Sequence, residues 1–268
     1  MASKAPRVLS LESRRAVEIG ELIRRQGGDP FVAPSMREVP LADNAAAFEF
    51  ADRLFAGGYD MVVLLTGVGT RQLNRLLAEQ YPESAFADAL RKVTVVARGP
   101  KPVAALREMG LAPTLVAPEP NTWRELLATT EGRPERSIAV QEYGRSNPEL
   151  IAGLRARGAE VTCVRVYRWD MPEDTALLRE AARRLAAGEF DMVLFTTAVQ
   201  VGHLVRIARD AGIEDAVLAA LRTVRVCSIG PTTTEALEEF GIRPAMEPSH
   251  PKMGILVREA MATWSAGA

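Results

Sequence analysis

The chain states one stretch twice. Sliding the sequence by 131 residues lays Arg53–Pro113 on Arg184–Pro244 without a gap, and 25 of the 61 aligned positions are identical. Arg53-Leu54, Ala56-Gly57 and Asp60-Met61-Val62 meet Arg184-Leu185, Ala187-Gly188 and Asp191-Met192-Val193, and further on Thr66, Leu73, Gly99, Pro100, Leu106, Gly110 and Pro113 meet Thr197, Leu204, Gly230, Pro231, Leu237, Gly241 and Pro244. One long-period copy is not a solenoid, which needs three or more short repeats. It requires two like domains, and two like domains make a cleft.

The bulk properties fit this. A chain of 268 residues suits two domains at about 150 residues each. With 47% hydrophobic and 25% charged residues, it has the composition of an ordinary globular protein. The formal net charge is −1, so no global field recruits nucleic acid or an acidic membrane. An anionic ligand must be held by local features. Cys163 and Cys227 are the only cysteines, which fits a reducing compartment rather than a disulfide framework. No apolar run is long enough for a membrane span, and Met1–Arg7 lacks a signal core. The expectation is a cytoplasmic protein, a monomer, without membrane or nucleic-acid partners.

Along the chain, short apolar runs alternate with helical periodicity. Strands are expected at 7–11, 31–33, 61–65, 93–97, 114–116, 137–140, 161–166, 192–195 and 224–228, with a last one near Ala245. Helices are expected between them, the first capped by Ser13, and others over 44–56, 70–80, 85–90, 101–109, 122–129, 148–157, 173–187, 199–211, 232–240 and 254–263. Met36–Leu41 is polar and Pro-broken and is read as a linker. Met61–Leu65 is continuously apolar, as in a strand covered on both faces. Strands alternating with helices give parallel sheets covered by helices.

In such sheets ligands bind beyond the carboxyl ends of the strands, where turns feed helix N-termini and their unpaired N–H groups. The duplication supplies these turns in pairs: Thr66-Gly67-Val68-Gly69 with Thr197-Ala198-Val199-Gln200, and Arg98-Gly99-Pro100-Lys101 with Ile229-Gly230-Pro231-Thr232. Gln141-Glu142-Tyr143-Gly144-Arg145 is a further strand-to-glycine turn. Gly67-Val68-Gly69 opens like a dinucleotide fingerprint, but Gln72 stands where the third glycine belongs. Three readings stay open: a nucleotide site, a tight turn that needs glycine, or N–H groups left free for a carboxylate. Thr232-Thr233-Thr234 reads as helix capping or as a hydroxyl cluster. Lys101 stands where Thr232 stands in the twin, and Arg14, Arg15 and Arg145 sit at helix starts, where cations oppose the macrodipole. His203 and His250 lack ligating neighbours, so no metal is expected. Tyr167 follows a strand and precedes the hinge-like Arg168–Pro172, a place equally suited to packing.

Taken in order, these marks resemble the uroporphyrinogen-III synthase family over nearly the whole chain, Val8 to about Met261. They are Gly158-Ala159-Glu160-Val161 through Val166-Tyr167, Phe195-Thr196-Thr197, and Ile229-Gly230-Pro231-Thr232-Thr233 with Ala236-Leu237 and Gly241. The first half shows Leu65-Thr66-Gly67-Val68-Gly69 and Ala97-Arg98-Gly99-Pro100-Lys101, where many members carry Thr-Ser-x and Gly-x-x-Thr-Ala. The resemblance implies an α/β fold of two similar domains, each a parallel sheet flanked by helices (flavodoxin-like), joined by two extended linkers. One domain would hold 1–36 and 172–268, the other 41–165, with linkers 37–40 and 166–171. It implies closure of hydroxymethylbilane to uroporphyrinogen III without a cofactor. Tyr167 would assist departure of the hydroxyl. Arg14, Thr66, Gly67, Gly69, Arg98, Gly99, Lys101, Gly144, Arg145, Thr197, Gly230, Thr232 and Thr233 would bind substrate. The rivals are a non-catalytic tetrapyrrole or small-anion sensor of the same fold and a nucleotide-dependent Rossmann enzyme. Fused DNA-binding modules accompany some such domains, and this chain ends soon after its last expected helix.

Overall fold

A computed structural model describes residues 5–40, 44–142 and 147–265. The chain divides into two compact units. One combines the residues up to Arg37 with those from Asp170 on, and the other runs Glu38–Trp169.

The first unit begins with β1 (Arg7–Ser10), α1 (Ala16–Arg25) and β2 (Asp29–Val32). After β3 (Arg37–Pro40) the second unit follows: α2 (Ala45–Phe55), β4 (Met61–Leu64), α3 (Gly67–Leu77), α4 (Ala85–Leu90), β5 (Thr94–Ala97), α5 (Pro100–Glu108), β6 (Leu115–Val116), α6 (Trp123–Thr129), β7 (Ser137–Gln141), α7 (Pro148–Ala156) and β8 (Glu160–Val164). Past β9 (Tyr167–Asp170) the first unit resumes with α8 (Ala176–Ala186), β10 (Met192–Phe195), α9 (Ala198–Asp210), α10 (Glu214–Thr223), β11 (Arg225–Ser228), α11 (Pro231–Glu238) and α12 (Met253–Ser265). β3 and β9 pair as a two-stranded sheet, so the two segments read as linkers hydrogen-bond to each other.

The two main sheets share one plan. The first unit orders its strands β11-β10-β1-β2 and the second β6-β5-β4-β7-β8, with parallel pairing in both. A parallel bridge from Cys227 to Met246 stands where β6 stands in the second unit. Matching the sheets puts β10 on β4, β11 on β5, β1 on β7 and β2 on β8. The strand–helix–strand that closes the second unit is therefore supplied in the first by the chain's other end. This explains why the gapless repeat stops short of it.

Strand pleat divides each core. Val62 and Leu64 face one side, under α2, α3 and α4; Met61, Val63 and Leu65 face the other, under α6 and α7. In the first unit Val193 and Phe195 lie under α8, α9, α10 and α11, while Met192 and Leu194 lie under α1 and α12. All four residues of β4 and of β10 are buried, which is why these segments read as unbroken apolar runs.

The duplicated aspartates tie each middle strand to its neighbour at the amino edge. Asp60 Oδ2 accepts the N–H groups of Arg136 (3.0 Å) and Ser137 (2.8 Å) at the start of β7. Asp191 accepts the Arg7 N–H (2.8 Å) and both arms of its guanidinium (3.0 Å each) at the start of β1. The Ser137 and Arg136 amides hold the Asp60 carboxyl below the ordinary carboxylate range.

Two departures from sequence expectation are local. Ser13 does not cap α1; its hydroxyl accepts the Ser35 and Met36 N–H groups (3.0 Å each), and the helix starts after Arg15. α10 lies in a stretch with no expected element, although its sequence twin α4 is expected.

Asp191→Ala should cost about 2 kcal/mol, because it leaves a backbone donor and a guanidinium without their acceptor; urea denaturation measures this. A depressed folded pKa adds stability that is complete above the unfolded value of about 3.9 and is lost as pH falls through the folded value. Asp60→Asn should therefore flatten the decline of stability below about pH 4, read from denaturation midpoints.

Candidate functional site

In each unit the candidate residues gather at the carboxyl edge of the sheet. In the second unit β4 runs through Leu65 into Thr66, whose extended backbone (φ −143°, ψ 144°) turns directly into α3. Gly67 and Gly69 thus belong to the first helical turn and not to a loop. The Thr66 hydroxyl accepts the Gly69 N–H at 3.0 Å and lies 3.1 Å from the Tyr167 hydroxyl. The Gly69 donor is therefore already used within the protein. The N–H groups of Gly67 and Val68 have no acceptor among the described residues.

Close approach accounts for both glycines. A Cβ on Gly67 would lie 2.4 Å from the Lys101 carbonyl oxygen, and one on Gly69 would lie 2.1 Å from Gln141 Nε2. Gln141, the last residue of β7, also accepts the Thr66 N–H through Oε1 at 3.3 Å. Thr66, Gly67, Gly69, Gln141, Tyr167 and the start of α5 therefore form one cluster. Gly99 is extended (φ 174°, ψ −163°) and buried, Pro100 starts α5, and Lys101 is exposed. Arg98 donates its N–H to the Leu64 carbonyl at 3.0 Å.

Tyr167 is 1% exposed. Its ring packs edge-on against Trp169 (centroids 5.6 Å apart) within the core shared by α2, α3 and β4. The packing reading of this tyrosine is thus part of the structure, and its hydroxyl meets the start of α3 through Thr66.

Glu142 follows Gln141 and is fully buried, paired with Arg165 Nε at 2.7 Å. Gly144 and Arg145 lie outside the described residues.

The first unit repeats the arrangement with other side chains. Thr197 precedes α9 in the same extended conformation (φ −163°, ψ 151°), but its hydroxyl caps nothing. The Ala198 and Val199 N–H groups have no acceptor among the described residues. Gln200 stands at the sequence position of Gly69. It is buried and grips Thr196: Oε1 accepts the Thr196 N–H and Nε2 donates to Oγ1, both at 2.8 Å. Thr196 Oγ1 donates in turn to Glu12, which also accepts the Arg15 N–H at 3.1 Å. Gly230 donates its N–H to Ser228 Oγ at 3.2 Å, so it too is satisfied internally. Thr232 is half-buried with a free N–H among the described residues, and Thr233 is buried. Arg14 is exposed in the turn before α1.

Sequence reasoning names Gln141, Glu142, Thr196 and Gln200 only as members of their turns, without a role, and passes over Glu12. A signal exists for two of them. Glu12 stands two residues after the end of β1 and Glu142 directly after the end of β7, strands that the matched sheets place in register.

Other chemistry in the cluster is limited. Burial pushes the Cys163 thiol up to about 11, with the Glu142 carboxylate adding to the effect, and burial pushes Cys227 up to about 12. Neither is a thiolate near neutrality. Burial lowers the His203 pKa, so the neutral ring faces the Ser35 carbonyl through Nδ1 at 2.7 Å. Among the described residues no three His, Cys, Asp or Glu side chains are grouped to hold a metal, and no helix is long and apolar enough to cross a membrane. A concavity of about 870 Å³ lies at the opposite, amino edge of the second unit beside Asp60, Thr94 and Glu135.

Two glycines at these turns, one in each unit, differ in tolerance. Gly67→Ala should destabilise by about 1–3 kcal/mol, since the carbonyl it meets is backbone and cannot yield. Gly230→Ala should be close to neutral, because the nearest atom to the new Cβ is Pro251 Cβ at 3.6 Å and the backbone is extended. Thermal or urea unfolding of the two variants measures the contrast.

A family model described as uroporphyrinogen-III synthase HemD matches residues 17–258. The protein YjjA of Bacillus subtilis is 31% identical over 251 residues, 92% of each chain. A Methanothermobacter thermautotrophicus protein named provisionally as a uroporphyrinogen-III synthase is 33% identical over 231 residues, 85% of this chain and 87% of that one. The crystal structure of a mutant uroporphyrinogen III synthase from the extreme thermophile Thermus thermophilus superposes with a TM-score of 0.75 at 28% identity, covering 98% of this chain and 100% of that chain. With two parallel sheets flanked by helices and a family match across both of them, the chain belongs to the uroporphyrinogen-III synthase family.

Proposed function

We propose that the protein is a uroporphyrinogen-III synthase. It closes hydroxymethylbilane to uroporphyrinogen III with inversion of ring D and loss of water, as a step of heme and related tetrapyrrole synthesis. It acts as a cytoplasmic monomer and without a cofactor. Beyond family membership, one observation carries the reading. At the carboxyl edges of both sheets, the helix-start N–H groups of Gly67, Val68, Ala198, Val199 and Thr232 have no acceptor among the described residues. Each such helix end presents about half a positive charge. The substrate carries eight carboxylates, and a chain of net charge −1 must hold them by placed dipoles and local cations. Arg14, Arg98 and Lys101, together with Arg145 and the Gly99 and Gly144 amides, would complete that set.

The bilane can lose its hydroxyl and close unaided to the wrong isomer. The enzyme's task is therefore orientation: holding the chain so that the substituted carbon of ring D is attacked. The hydroxyl leaves with a proton as water, giving an azafulvene. The substituted carbon of ring D bonds to the azafulvene carbon, giving a spiro intermediate; the older bond from that ring D carbon to the bridge toward ring C then breaks, and the freed bridge carbon bonds to the unsubstituted carbon of ring D, which loses its proton. Charge developing in these steps is met by fixed dipoles. Tyr167 enters through its hydrogen bond to Thr66, which sets the hydroxyl at the head of α3.

The test is direct. Enzymatically generated hydroxymethylbilane is incubated with the protein, the product is oxidised, and isomers I and III are resolved. Type III is expected; type I alone would contradict the proposal and favour a binding protein of the same fold. Tyr167→Phe should lower turnover about tenfold, the scale of one lost hydrogen bond, with type III still the product. Turnover equal to wild type would remove Tyr167 from the reaction.

A further inference from the structure

The turns at Gly99 and Gly230 are twins in backbone but are held by different side chains. Gly99 (φ 174°, ψ −163°) and Gly230 (φ 161°, ψ −178°) both leave a strand extended and hand over to a proline that starts a helix. In the first unit the turn is pinned from within. Ser228, fully buried at the end of β11, accepts the Gly230 N–H at 3.2 Å and donates to the Gly230 carbonyl at 3.0 Å. The Thr234 hydroxyl supports Ser228 at 2.9 Å. In the second unit the matching positions are Ala97 and Val103, which have no hydroxyl.

The second unit has a different device. Asn121, in the loop between β6 and α6, holds a left-handed backbone (φ 60°) although it is not glycine. Its N–H donates to the Pro118 carbonyl at 2.9 Å. With the carboxamide turned so that its nitrogen faces the carbonyls, it donates to Arg98 O at 2.9 Å and Ala117 O at 3.2 Å. A Cβ on Gly99 would come within 2.3 Å of this carboxamide, so the turn and the side chain are in direct contact. A left-handed backbone is uncommon outside glycine, and asparagine is among the few residues that adopt it readily.

We propose that Asn121 is a positioning residue for the Arg98-Gly99-Pro100-Lys101 turn, replacing from outside the hydroxyl pin that the twin turn carries inside. The proposal rests on the synthase reading for its consequence: the turn's donors and cations would meet substrate carboxylates far from the reacting ring. Contacts of that kind are made equally in the ground and transition states, so their loss appears in KM.

Asn121→Gly keeps the left-handed backbone and removes the carboxamide; Asn121→Asp keeps the size and sets an acceptor against two carbonyls. Both should raise KM for hydroxymethylbilane about tenfold while kcat stays within about twofold, with type III still formed. A second readout needs no turnover: backbone amide order parameters at Gly99 should fall in Asn121→Gly while those at Gly230 stay unchanged. Wild-type KM in Asn121→Gly, or a fall confined to kcat, would overturn the proposal. So would unchanged order parameters at Gly99, whether or not the wild-type protein makes type III. Failure of the wild type to make type III would instead strike the synthase reading.

Discussion

A strand buried on both faces and paired along both edges meets the surface only at its ends. β4 and β10 are such strands, and candidate residues of both units lie where the chain leaves them. Their amino ends are tied by Asp60 and Asp191 to the neighbouring strand. Their carboxyl ends pass within a few residues into helices, so the first N–H groups of α3 and α9 emerge at the sheet edge with no carbonyl among the described residues to receive them. A parallel sheet places all such exits on one edge, and the duplication makes the edge twice.

The two copies have kept the backbone and changed the fittings. Gln141 reaches from β7 into the space that Gly69 leaves open, while Gln200, at the equivalent sequence position, fills its own unit's space from the helix side. Both glutamines serve the residue at the strand exit. Carboxylates also sit among these exits, but each is satisfied locally: Glu12 by Thr196 and the Arg15 amide, Glu142 by Arg165. The helix-start amides have no acceptor among the described residues, and Arg14 and Lys101 are exposed. In a chain of almost no net charge, recognition of a polyacid would be a matter of local direction and not of overall field.

The architecture is readable in the sequence where the signal is local or repeated. The duplication announces two like units, and the apolar runs at Met61–Leu65 and Met192–Phe195 announce their middle strands. The turns at Thr66 and Gly99 are legible as candidates because glycine and proline mark them. What stays hidden is long-range. Ser13 looks like a helix cap and instead serves Ser35 and Met36, 22 and 23 residues away. Gly67 and Gly69 look like a loop, but the Thr66 side chain draws them into the helix. The linker segments give no sign of pairing as β3 and β9. Asn121 carries no motif, and Gln141 shows only as the first residue of a glycine-bearing turn; their contacts with Arg98 and Thr66 are set by the fold. α10 follows directly on the glycine that closes α9, where a loop is the simpler reading, and only its twin α4 signals it.

The central claim is that open helix-start amides on both units grip carboxylates. Amide chemical shifts of the labelled full chain, followed while uroporphyrinogen III is added under reducing conditions, test it most directly. The account predicts saturable shifts at Gly67, Val68, Ala198, Val199 and Thr232 together. Shifts confined to one unit, or to the amino-edge concavity beside Asp60 and Glu135, would contradict it.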